Sequence, residues 1–89
     1  MSKISQKKQE KVMSNIVSIL FENSPEALFT SEISKTEGRD EEFVKKLLLD
    51  LHKKGLVIPI KKNPKGNPYL RRIRWRLSDN AYIAYKQRQ

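Results

Sequence analysis

Cysteine is absent from the 89 residues, which removes any disulfide framework and any thiolate metal cage. Histidine occurs once, at His52, so no second imidazole is available to share a metal. Glycine is scarce, and Gly66 lies in a turn-rich stretch rather than in a glycine loop leading into a helix, so no phosphate-cradling motif exists. Long apolar runs are missing too: none exceeds about four residues, against the roughly 20 needed to cross a bilayer. The opening Met1-Ser2-Lys3-Ile4-Ser5-Gln6-Lys7-Lys8 does not lead into the apolar stretch and cleavage site of a secretion signal. A chain this short buries only about 60–65 % of its unfolded surface, so one domain over 1–89 is expected, without a cleft between lobes. No nucleophile has a base beside it. The one carboxylate cluster, Asp40-Glu41-Glu42, splays around a helix instead of facing one site. Neither an enzyme nor a bound cofactor is expected, and no membrane partner is.

Acids are the next shortage, and it is local. The chain has 19 Lys+Arg against 10 Asp+Glu, a net charge of +9. Residues 1–30 carry net +1, residues 31–55 are neutral, and residues 56–89 carry +8 with Asp79 as their only acid. Solubility does not require such a concentration, whereas a footprint for a polyanion does. A soluble cytoplasmic protein, nucleoid-associated in a prokaryote, is the expected setting.

The order of elements follows from period and punctuation. Val12, Met13, Ile16, Ile19 and Leu20 recur at helical spacing and predict a helix from about Ser5 to Asn23, with residues 1–8 as a basic arm. Ser24-Pro25 stops it. Ala27-Leu28-Phe29 reads as a short extended segment, and Thr30 or Ser31 is expected to cap a brief second helix that ends at Gly38. Asp40 to Lys54 predicts the third helix, with acids at its start, lysines at its end and Gly55 as a left-handed cap. Its core stripe is Phe43, Val44, Leu47, Leu48 and Leu51; the opposite side holds Glu42, Lys45, Lys46, Leu49 and Lys53.

After Gly55 the period becomes alternating. Leu56 to Ile60 reads as a strand that Pro59 confines to a sheet edge, and Asn63 to Pro68 is turn chemistry. Tyr69 to Leu77 reads as the return strand, with Tyr69, Ile73, Trp75 and Leu77 on an apolar face and Arg72, Arg74 and Arg76 on the other. Tyr69 and Trp75 share the face of Ile73 and Leu77, so they read as core rather than as base-stacking platforms. Ser78 is expected to cap a last helix, packed through Ala81, Ala84 and Tyr85.

Thr30-Ser31-Glu32-Ile33 opens the second helix, Gly38 sits in the turn, and Val44, Leu48 and Leu51 follow in the third helix. Lys54-Gly55-Leu56-Val57 and Trp75-Arg76-Leu77-Ser78 then flank the hairpin. Through these residues and this order, residues 10–88 resemble the winged helix-turn-helix superfamily. The resemblance implies a mainly α fold with a small antiparallel sheet (α+β), in the order helix, strand, helix, helix, strand, wing, strand, helix. It also implies double-stranded DNA as partner, with the third helix in the major groove and the hairpin on the backbone or minor groove.

Carried onto this chain, the groove-facing positions are Glu41, Glu42, Lys45, Lys46, Leu49 and Lys53. The acids at the helix start depart from the usual pattern; they suit the helix dipole, and a carboxylate can also accept from cytosine N4. Leu49 is open to three readings: a thymine methyl contact, a protein partner, or an exposed leucine without a role. Lys61, Lys62 and Lys65 surround the wing tip, and Arg71, Arg72, Arg74 and Arg76 follow on the return strand. Arg72, Arg74 and Arg76 would project over about 13–14 Å of strand, a span matching several phosphates. The expectation is a transcription regulator whose DNA contact is led by the wing, with Lys45, Lys46 and Lys53 in support. The alternatives are a protein-interaction module using the Leu49 face and an RNA-binding module. A homodimer through the first or last helix is left open.

Overall fold

The computed structural model describes residues 6–61 and 73–88, and the expected order of elements is realised in it. Helix α1 runs Gln6–Asn23 and buries Val12, Ile16 and Leu20 at four-residue spacing. Gln6, Lys7 and Lys8 therefore belong to the helix and not to an arm; residues 1–5 lie outside the described residues. Asn23 folds its Nδ2 back onto the Ile19 carbonyl (2.8 Å), and the chain turns through Ser24 and a cis bond to Pro25.

Strand β1 (Leu28–Phe29) runs directly into α2 (Thr30–Glu37). Here one expectation is corrected. Phe29 holds the N-cap position, and neither Thr30 nor Ser31 caps. Instead the Glu32 carboxylate accepts the Phe29 N–H at 2.8 Å, which satisfies a donor at the helix entrance. Thr30 is the first helical residue and is buried, its hydroxyl engaged elsewhere. Gly38 closes α2 at φ 70°, a left-handed conformation that L side chains rarely adopt.

The short turn leads to α3, Glu41–Lys53. Asp40 caps it by accepting the Phe43 N–H at 3.2 Å, and Gly55 turns the chain out at φ 77°. Strand β2 (Val57–Ile60) and strand β3 (Arg74–Leu77) complete an antiparallel sheet of order β1-β3-β2. Pro59 thus stands on an edge strand, as its missing N–H demands. The turn expected at Asn63 to Pro68, together with Tyr69 and the start of the return strand, lies outside the described residues. Helix α4 (Asp79–Gln87) begins at Ser78, whose Oγ accepts the Ala81 N–H at 3.1 Å.

Every element contributes to the core except the two-residue β1, whose Leu28 packs against its margin. Ile33 of α2, Val44, Leu47, Leu48 and Leu51 of α3 and the three buried residues of α1 belong to one cluster. Val57, Trp75 and Leu77 close it from the sheet, and Ala81 from α4. Trp75 is fully buried, and its indole N–H donates to Thr30 Oγ1 at 2.8 Å. That bond pins the central strand to the start of α2. Phe21 of α1 stacks with Tyr82 (centroids 5.1 Å apart) and tilts against Tyr85 (4.8 Å), so both tyrosines hold α4 on α1. Ala84, expected in that packing face, is exposed.

Candidate nucleic-acid interface

The third helix is divided as its sequence requires. Val44, Leu47 and Leu48 are fully buried, which turns Glu42, Lys45, Lys46, Leu49 and Lys53 outward, all of them exposed. Among the described residues no ion pair holds Lys45, Lys46 or Lys53. Leu49 is 44 % exposed and sits between these lysines, four residues after Lys45, three after Lys46 and four before Lys53. Asp50 turns away, lining a shallow cleft against α1 with Glu10, Met13 and Lys53. The result is a lysine-rich helix face with one apolar side chain in its middle, carboxylates in its N-terminal turn, and Asp50 at its margin, where Lys53 shares the cleft against α1.

The same helix is tied to the sheet by a contact that the sequence did not announce. His52 is exposed, and it donates from Nδ1 to the Val57 carbonyl at 3.1 Å. The edge strand is thereby fixed to the end of α3, along the path that leads toward the wing.

The arginines of β3 behave differently from a row of outward cations. Residues directly opposite one another in a sheet share a face, and Arg74 stands opposite Phe29 on one side and Ile60 on the other. Arg76 stands opposite Ile58. The sheet face is therefore arginine interleaved with apolar side chains, all half-buried, and not arginine alone. Arg74 lays its guanidinium over the Phe29 ring, 4.6 Å from the centroid, a contact typically worth about 0.5–2 kcal/mol. Arg76 donates from Nη1 to the Leu77 carbonyl at 3.0 Å and pairs with Asp79 Oδ1 at 3.5 Å. Both side chains thus make contacts within the protein, that of Arg76 through a solvent-exposed pair. Alternation along one strand placed them on the right face; the ring under Arg74 comes from β1, which only the register reveals, while the partners of Arg76 are the adjacent Leu77 and Asp79 three residues on.

Lys61 is exposed at the end of β2. Lys62, Lys65, Arg71 and Arg72 lie outside the described residues. Thr30 and Phe29 are the residues that sequence reasoning missed, one holding Trp75 and the other holding Arg74. No local signal could have found either, since each partner is about 45 positions away in sequence. No group of three or more His, Cys, Asp or Glu is placed to hold a metal among the described residues. No helix among them is long and apolar enough to cross a membrane.

No protein-family model matches the sequence, and no curated protein matches it. Solved structures do match the backbone. MepR of S. aureus in complex with DNA superposes with a TM-score of 0.71 at 17 % identity, over 91 % of this chain and 66 % of that one. ZitR of Lactococcus lactis gives 0.71 at 18 % identity, over 99 % of this chain and 56 % of that one. The PcaV transcriptional regulator from Streptomyces coelicolor, in complex with its natural ligand, gives 0.59 at 20 % identity, over 96 % and 53 %. The chain thus spans between 53 % and 66 % of the length of these three. Likeness at such identities is a likeness of backbone. With its helix-turn-helix, its three-stranded antiparallel sheet and these neighbours, the chain has the winged-helix fold.

Proposed function

We propose that the chain binds double-stranded DNA and regulates transcription, with α3 in the major groove and the segment after β2 against the flanking backbone. The observation that carries this reading is the lysine face of α3, in no ion pair among the described residues and continuous along the chain with the +8 carried by residues 56–89. The DNA complex of MepR, a protein with a similar backbone, supports it. Lys61, Lys62, Lys65, Arg71 and Arg72 supply the wing's phosphate contacts, and Lys45, Lys46 and Lys53 those of the helix. Arg74 and Arg76 act mainly by stiffening the sheet from which the wing springs. A single leucine ringed by lysines makes no apolar patch, so a protein-binding role for the α3 face has no comparable support.

Polarisation titrations of duplex DNA and of RNA across salt test the proposal. Each phosphate contact releases counterions worth a slope of about −0.9 in log K against log salt, so six contacts give a slope near −5. Tighter binding to RNA than to duplex DNA, or affinity independent of salt, would sink it.

A further inference from the structure

We propose that Leu49 reads thymine, by packing its side chain against the C5 methyl group in the major groove; this rests on the DNA-binding reading above. Leu49 and Ile83 are the large hydrophobic side chains left exposed among the described residues, and their surroundings differ. Ile83 stands on α4 between charges of both signs, with Asp79 four residues before it and Lys86 three after. Leu49 stands on the lysine face of α3, and side chains three and four residues apart on a helix have Cβ atoms about 5–6 Å apart. Lys45, Lys46 and Lys53 are therefore its immediate neighbours.

That ring decides between occupants. A protein partner covering Leu49 would have to desolvate three cations for the sake of one apolar side chain, where a stable interface needs roughly 1,000 Å² and a cluster of apolar anchors. Duplex DNA satisfies both kinds of group at once. Phosphates on either side of the major groove take the lysines, and the groove floor carries one apolar group, the thymine methyl. The fold adds a positional reason. Val44, Leu47 and Leu48 are wholly buried, so Leu49 cannot rotate into the core without expelling one of them. It is held outward on a rigid helix, fixed at its far end by the His52 to Val57 bond, as a base contact requires.

The test uses the full chain and duplexes taken from a selection on random sequence. Each thymine of the selected site is replaced singly by deoxyuridine, which removes the methyl and leaves pairing and charge intact. Wild type is expected to lose about threefold to fourfold in affinity at one thymine per bound chain, the effect of one buried methyl-sized group. In Leu49→Ala the thymine and deoxyuridine duplexes are expected to bind equally, with an unchanged salt slope because no charge is lost. Leu49→Met is expected to keep part of the discrimination. Leu49 is exposed, so these variants fold, and their thermal melts check it. Wild type indifferent to every substitution, or Leu49→Ala still discriminating, overturns the assignment while leaving salt-dependent DNA binding in place. Leu49→Ala that keeps the discrimination but changes sedimentation of the free chain assigns the leucine to a contact between copies and also overturns it. Absence of any salt-dependent duplex binding refutes the DNA reading itself.

Discussion

Replacing Thr30 by valine should destabilise the domain by about 2 kcal/mol, and the reason is a single hydrogen bond. Thr30 is 7 % exposed and Trp75 is not exposed at all, with the indole N–H donating to Thr30 Oγ1 at 2.8 Å. Valine nearly conserves volume, so little cavity forms, but it leaves the buried N–H without an acceptor, a loss of about 1–3 kcal/mol. A domain of this size has a total stability of roughly 4–13 kcal/mol, so the change should lower Tm by on the order of 10 °C. Trp75→Phe should cost more than Thr30→Val, since it removes ring volume from the core as well as leaving the hydroxyl unpaired. In the double variant neither orphaned group remains, so the two losses should fall short of additive by about 1–2 kcal/mol. Urea melts followed by far-UV circular dichroism measure all four corners; fluorescence does not, because Trp75 is the only tryptophan. Losses that add within about 0.5 kcal/mol would refute the claim that this bond joins β3 to α2.

Lys45→Ala with Lys46→Ala should weaken duplex binding and flatten the salt slope by about 1.8, two contacts' worth, in polarisation titrations. Arg74→Ala with Arg76→Ala should instead lower thermal stability and leave that slope nearly unchanged, because both guanidinium groups are engaged within the sheet and α4. Gly38→Ala should cost about 1 kcal/mol in denaturant melts: the new Cβ meets no atom within 4 Å, so the whole cost is the left-handed backbone at φ 70°. Asp40→Ala removes the cap on the Phe43 N–H and should cost about 0.5–2 kcal/mol in the same melts.

Much of the fold was legible because its signals are local. The apolar period of Val44, Leu47, Leu48 and Leu51, the acids opening at Asp40, the glycines at 38 and 55 and the proline at 59 each act within a turn or two of their own position. The candidate interface was legible in part. The lysines of α3 stand where the wheel put them, because a helix with one buried face has only one other. The β3 arginines do not behave as alternation alone suggested. A strand pattern names a face, but what shares that face depends on register with β1 and β2.

The sequence by itself determined the order of the elements, the identity of the core stripe and the concentration of positive charge after residue 55. Helical period, capping and turn chemistry are properties of neighbours, and net charge is a property of composition. Tertiary structure alone decided which cations are free. It drew Arg74 over Phe29 and Arg76 onto Leu77 and Asp79, and among the described residues it left Lys45, Lys46 and Lys53 in no ion pair around Leu49. A guanidinium laid over a ring 45 positions away is held by register across strands that no stretch of sequence contains, whereas the partners of Arg76 lie within three residues of it. Charge could be counted along the chain, but its availability to a polyanion was fixed only when the sheet and α4 closed.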